Sequence, residues 1–391
     1  MYARVNEVVD NLAGELYELS MELHKHPELG LEEYKACAAQ RKLLEKHAFT
    51  FEDHYCGMDT AYKAVYRSQK PGPRLATLSE YDALPELAHG CGHNLSAMVS
   101  VGTAIAMKEF IDAYGGEICV FGTPAEETIG GKVLMAKAGA FDDIDAVVMA
   151  HPHNQNSQSA NTLAIDEFKF HYYGKPAHAA AAPHEGINAL DAVINLFNMI
   201  NALRQQTTPD VRIHGIITQG GTVPNIIPDQ AEAVISARAA KADALETLCE
   251  RIKNCARAAA LSTGCRLEIR PSGGRFKDTN SNQALSLLNA RQMEKLGVVL
   301  TPPPAEPLPA SSDLGDVSYC CPAIQTSFEI TQGQSYGLHT KEFAAAAGSE
   351  FAIQRGLTVI KGFVLTLIDL LTNPSDLEDI RTEFEKSRKK L

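Results

Sequence analysis

The feature that most constrains the fold is a change of rhythm in the middle of the chain. Up to residue 161, apolar strands alternate with helices. Segments 74–79, 117–122 and 144–150 read as strands, with helices at 96–114 and 131–138. That alternation predicts a largely parallel sheet covered by helices. From residue 162 the order changes. Segment 162–173 alternates as a strand, 187–203 repeats apolar residues at helical spacing, 211–219 and 230–239 are strands, 242–263 is a helix, and 265–270 is a strand. The resulting β-α-β-β-α-β order is ferredoxin-like. The fold class expected is therefore α/β, with a mostly parallel mixed sheet in residues 1–161 and 276–391, interrupted by an inserted α+β domain at 162–275.

The flanks fit this division. Val5, Val8, Val9, Leu12, Leu16, Leu19 and Leu23 form one face of an opening helix, which Pro27 and Gly30 end, and a second helix is expected over 33–46. Segment 301–309, with five prolines, reads as a loop. The most apolar stretch, 353–371, is interrupted by Gln354, Arg355, Lys361 and Asp369, so it reads as an amphipathic helix and not a membrane span. With 45% hydrophobic residues, a sizeable core can form. A net charge of −12 without a basic run argues against nucleic acid or an anionic membrane as partner. Nine scattered cysteines and no apolar leader in the first 23 residues point to the cytoplasm.

The chemistry gathers in four short stretches. Tyr81-Asp82-Ala83-Leu84-Pro85 leads into His89-Gly90-Cys91-Gly92-His93-Asn94 behind the first strand. Pro124-Ala125-Glu126-Glu127 follows the second, and His151-Pro152-His153 ends the third. In open α/β sheets, ligands sit beyond the carboxyl ends of the strands, so these stretches should converge. Gly337-Leu338-His339-Thr340 is a polar turn near the end of the chain. Thiolate, carboxylate and imidazole together suit zinc, and also manganese or cobalt in a site richer in oxygen and nitrogen. Two ions would need a bridging ligand, a role open to Cys91 as thiolate. Adjacent buried glutamates are costly unless a cation compensates them. If Glu127 binds metal, Glu126 is free to take a proton from the attacking water and pass it to the leaving nitrogen. Each stretch alone also has an ordinary reading: a buried cysteine, a solvated helix start or a core histidine.

Taken in order, these motifs resemble the co-catalytic metallopeptidase and amidohydrolase family of glutamate carboxypeptidase, aminoacylase and auxin-conjugate hydrolases. The branch most resembled contains p-aminobenzoyl-glutamate hydrolase and aminoacylase-like dipeptidases. The resemblance runs from His26-Pro27-Glu28-Leu29-Gly30-Leu31-Glu32-Glu33 through Glu80–Pro85, Cys91–Asn94 and Gly122–Glu127. It continues through Lys175-Pro176-Ala177-His178-Ala179-Ala180 to Pro224-Asn225-Ile226-Ile227-Pro228. It implies a metal-binding catalytic domain interrupted by a dimerisation or lid domain, in a homodimer or higher homo-oligomer. It also implies one or two divalent ions, Zn²⁺ or Mn²⁺ with Co²⁺ possible, on Cys91, His93, Glu127, His151 and His339. Glu126 would be the base. His214 would stabilise the oxyanion, and Asn225, Arg238 and His178 would contact substrate, Arg238 through a carboxylate.

Two points depart from the pattern. His153 lies on the same strand side as His151 and competes with it as ligand. Where peptidase branches carry His-x-Asp, this chain reads Glu80-Tyr81-Asp82, so Asp82 is expected to orient a ligand and not to bind metal. The activity implied is hydrolysis of N-acyl or aroyl amino acids or related small amides by metal-activated water. The alternatives are a dipeptidase or aminopeptidase acting on small peptides, a catalytically silent metal-binding scaffold, and cysteine-nucleophile catalysis by Cys91.

Overall fold

A computed structural model describes residues 1–388 of the 391-residue chain. The chain divides into two compact units: residues 1–161, 279–308 and 312–391 form the first, and residues 162–278 with 309–311 the second.

In chain order, the first unit opens with α1 (Tyr2–Lys25), α2 (Tyr34–Lys46), β1 (Thr50–Asp53), β2 (Tyr62–Arg67) and β3 (Arg74–Ser79). It continues with α3 (His93–Tyr114), β4 (Glu117–Gly122), α4 (Gly131–Lys137) and β5 (Ala146–His153). The second unit supplies β6 (Ala164–Tyr173), α5 (Ala189–Arg204), β7 (Arg212–Gln219), β8 (Gln230–Ala239), α6 (Ala242–Thr263) and β9 (Arg266–Pro271). The first unit then resumes with α7 (Gln283–Lys295), α8 (Leu314–Ser318), β10 (Ala323–Glu329), α9 (Lys341–Ala347), α10 (Glu350–Thr372) and α11 (Pro374–Arg388).

The first unit's six-stranded sheet runs β1-β2-β4-β3-β5-β10. Its β4–β3, β3–β5 and β5–β10 pairs are parallel, and the β1–β2 and β2–β4 pairs at one side are antiparallel. The sheet is thus the mostly parallel, mixed one expected. The sequence pattern does not mark β1, because its Thr-Phe-Glu-Asp stretch lies largely exposed at the sheet's edge. Helices α1, α3 and α10 pack tightly on one another. A Cβ at Gly102 of α3 would fall 2.6 Å from Ile360 of α10 and 2.9 Å from Leu16 of α1. Helix α10 is long and apolar enough to cross a membrane by length and composition, yet 72% of its most apolar window is buried within the protein. It is a core helix with little polar face, more buried than its interrupting charges suggest.

The second unit is a four-stranded sheet ordered β7-β8-β6-β9, with all three pairings antiparallel. Burial along β6 alternates residue by residue, which places Ala164, Phe168, Phe170 and Tyr172 against α5 and α6. Asn188 caps α5 by accepting from the N–H groups of Leu190 and Asp191. This is the inserted ferredoxin-like domain.

Candidate metal centre

The parallel strands of the first unit deliver their motifs to one edge of the sheet. Asp82 lies just beyond β3, Glu126 and Glu127 follow β4, and His151 lies near the end of β5. Cys91 and Gly92 form the turn into α3, whose first residue is His93. Gly92 has φ 79°, and a Cβ there would lie 2.8 Å from Pro152 Cγ. Only glycine meets both the left-handed backbone and that close approach. His339 reaches the same place through the backbone: its N–H donates to Gly90 O at 2.9 Å. Thr340, the next residue, caps α9 through Phe343 N.

The donor atoms converge. Cys91 Sγ lies 3.4 Å from His151 Nε2, and His339 Nε2 lies 3.2 Å from Glu127 Oε1. The donors of Cys91, His93 and His151 all lie within 4.8 Å of one another. The same limit holds for Cys91, Glu127 and His339, so the thiol belongs to both groups. A third group joins Glu80, His93 and Glu126. His93 Nε2 and both oxygens of Glu80 are buried and, although they lie in ion-pair range of one another and of Lys132, make no hydrogen bond, which leaves them able to face a cation. These residues fit divalent metal by donor type as well. His153 is in none of the three groups.

Supporting contacts fix the donors. Asp82 Oδ1 lies 3.0 Å from His93 Nδ1, and Asp82 Oδ2 accepts from Glu127 N at 2.9 Å. One carboxylate thereby orients two neighbouring donors. The His151 Nδ1 lies 2.8 Å from Pro152 O, leaving Nε2 toward Cys91.

Glu80, Lys132 and Asp313 complete the cluster, and the motif reading missed them in this role. Lys132 Nζ lies 2.6 Å from Asp313 Oδ1 and 3.5 Å from Glu80 Oε1, and all three side chains are wholly buried. Glu80 Oε2 in turn lies 3.3 Å from His93 Nε2. Glu80 was visible beside Asp82. Lys132 and Asp313 gave no signal, since a lysine after two glycines and an aspartate after a proline-rich loop look like surface residues.

The electrostatics follow from burial and charge. Burial, with Glu80 and Asp313 nearby, pushes the Glu126 carboxyl well above its ordinary value. Burial would also raise Glu127, but His339 and His93 outweigh it and hold it at about 2. Burial and the His93 charge depress His151 to about 3, so its imidazole stays neutral as a ligand requires. Burial raises the Cys91 thiol when no cation is present. Against burial, Asp313 and Glu80 keep Lys132 charged.

His178, His214, Asn225 and Arg238 all belong to the second unit. His178 is exposed and its Nδ1 accepts from Ala180 N and Ala181 N, which makes it a turn cap there. His214 lies on the edge strand β7 and is exposed, as is Asn225 in the following loop. Arg238 Nη1 donates to Ser311 Oγ at 2.7 Å.

Fold and cluster together define a metal-dependent hydrolase of amide bonds. Residues 164–263 match the model of the peptidase dimerisation domain of the M20 family. The chain is 37% identical to the Xaa-Arg dipeptidase of Mus musculus over 98% of its own length and 91% of that protein's. It is 31% identical to a p-aminobenzoyl-glutamate hydrolase component of Escherichia coli, over 69% of this chain and 60% of that one. A dinuclear metal-binding peptidase of the M20 family from Bacillus subtilis shares the fold, with TM-score 0.68 and 19% identity over 92% of this chain and 99% of that one. The chain belongs to the M20 family of metal-dependent peptidases and amidohydrolases.

Proposed function

We propose that the protein hydrolyses dipeptides and N-acyl amino acids, with Cys91, His93 and His151 as the residues that would hold one divalent cation and Cys91, Glu127 and His339 as those that would hold a second. The observation that carries this reading is that two of the three donor groups share Cys91. Charge balance favours added cations: Glu80, Glu126 and Asp313 lie about the buried Lys132 ammonium, and Asp82 and Glu127 add two more carboxylates beside His93. Zinc or manganese suits the mixed donors, with cobalt as a substitute. When bound, the cations supply a lowered water pKa and a polarised carbonyl.

Within this reading Glu126, the carboxylate of its pair outside both Cys91 groups, takes the proton of the attacking water and returns it to the leaving amide nitrogen. Asp82 holds His93 and the Glu127 backbone in register. His214 is the candidate for oxyanion stabilisation, and Asn225, Arg238 and His178 are candidates for substrate contacts, all resting on the family resemblance. The named activity of the Mus musculus relative favours a dipeptide with a carboxyl-terminal basic residue. The family-model match supports a homodimer. Buried thiols such as Cys91, Cys119 and Cys249, each outside any disulfide, support a reducing compartment such as the cytoplasm.

A panel of free and N-acylated amino acid amides tests the substrate. Alanyl-arginine turnover above that of N-acetyl-arginine supports the dipeptidase form, and the reverse order supports the aminoacylase form. Hydrolysis of neither by metal-loaded protein contradicts both. Arg238→Ala should raise KM for these substrates about tenfold or more, through loss of a carboxylate contact; an unchanged KM removes Arg238 from the site.

A further inference from the structure

Glu126 stands between two anchored peptide groups. The N–H of Glu127, after it, donates to Asp82 Oδ2. The N–H of Ala125, before it, donates to Glu33 Oε1 at 2.8 Å. Asp82 also touches His93 and so belongs to the metal cluster. Glu33 is in none of the three donor groups. It immediately precedes α2, is completely buried, and accepts from Thr60 Oγ1 with its other oxygen at 2.8 Å.

Ala125 needs such an anchor. Its φ of 61° is left-handed, which a non-glycine residue holds only when its surroundings enforce it. Its carbonyl already closes the turn by accepting from Gly130 N at 2.9 Å. Its buried N–H would have no acceptor without Glu33. The segment around Glu33 is pressed against the same turn. A Cβ at Gly30 would lie 2.8 Å from Thr128 Oγ1 and 3.0 Å from Ala125 Cα. The segment also reaches the Asp82 loop, where Ala83 N donates to Glu28 O at 2.8 Å.

We infer that Glu33 is a positioning residue for hydrolysis: through the Ala125 N–H its carboxylate fixes the turn that aims Glu126. The inference rests on Glu126 acting as the base, as proposed above. Because Glu127 keeps its own anchor on Asp82, removal of Glu33 acts on kcat and spares metal binding.

The test is a double-mutant cycle on the full-length, metal-loaded enzyme: Glu33→Ala, Glu126→Gln and the double variant, assayed on alanyl-arginine and N-acetyl-arginine. Glu33→Ala is expected to lower kcat about 10- to 100-fold, the scale of a base displaced by about 1 Å. KM and bound metal stay at wild-type values, and amide exchange quickens over residues 124–130. Glu33→Gln, which still offers an oxygen to the Ala125 N–H, recovers most of the loss. In the Glu126→Gln background, removing Glu33 lowers kcat no further. If the alanine variant does not fold, Glu33→Asp keeps the charge but withdraws the oxygen, and the same selective loss is expected. Wild-type kcat in folded Glu33→Ala or Glu33→Asp overturns the inference. So does an equal loss in both backgrounds, or a loss confined to KM or metal content. Wild-type turnover by Glu126→Gln alone is a separate result, and sinks the base assignment beneath the inference.

Discussion

The two units bury different things. The core of the second is apolar: Phe170, Tyr172, Val193, Leu196, Ile235 and Ile252 fill it. Its buried acids sit at the margin, Asp166 facing Arg275 and Asp278 held by Lys241, both cations at least half exposed. The first unit places Glu33, Glu80, Asp82, His93, Lys132 and Asp313 wholly or almost wholly out of water. Burying so many charges destabilises a fold unless partners and cations compensate. The contrast separates two kinds of construction: the second unit's core is apolar, and the first unit keeps a cluster of charged groups out of water at a cost in stability.

The largest effect expected along this contrast is on chemistry. Glu126→Gln should lower kcat about 10²- to 10⁴-fold with metal retained. Turnover near wild type, with metal still bound, would remove Glu126 as base. Next comes the buried lysine. Lys132→Met strands Asp313 and Glu80, and should cost about 3–5 kcal/mol of stability by denaturant unfolding. A loss under about 1 kcal/mol would mean the network does not hold the site.

These two residues also show how far the sequence could be read. The strands of the parallel sheet and the β-α-β-β-α-β insert were legible because burial on one or both faces leaves a periodic trace. The proposed donors Cys91, His93, Glu127, His151 and His339 could be named from the sequence because each sits in a short motif with turn chemistry around it. Glu126 carried only the second signal, in the same motif as Glu127. Lys132 and Asp313 carried neither, and Glu33, though it closes the His26–Glu33 motif, gave no sign of its role: a single buried charge has no period, and its partners are remote in sequence. Lys132 and Asp313 are 181 residues apart, and Glu33 is 92 residues from Ala125. The edge strand β1 was hidden for the opposite reason, being too exposed to alternate.

A smaller effect is expected from His89, buried beside Cys91 with Nε2 3.0 Å from Leu23 O. Burial depresses its imidazole to about 3, whereas the unfolded chain titrates near 6.5. Between those values the unfolded chain takes up a proton that the folded chain refuses. Stability should therefore fall as pH falls from about 6.5 toward 3, at about 1.4 kcal/mol per pH unit from this group. His89→Asn, compared with wild type in the same metal state, should remove that share of the slope; parallel slopes would contradict it. The smallest effect belongs to the second unit. Lys241→Ala should cost about 1 kcal/mol or less, because its side chain is 50% exposed and Asp278 still accepts from Ala242 N. A loss as large as that for Lys132→Met would erase the distinction between the two units.

The central claim, that Cys91 is shared by two cation sites, is tested most directly by counting metal. Wild-type and Cys91→Ala protein, both shown to be folded, are saturated with zinc or manganese, freed of excess ion and analysed for bound metal. The account predicts about two ions per wild-type chain, as in co-catalytic sites, and loss of both, or of all but a weakly held one, in the variant. A single ion in wild type that survives loss of the thiol would contradict it.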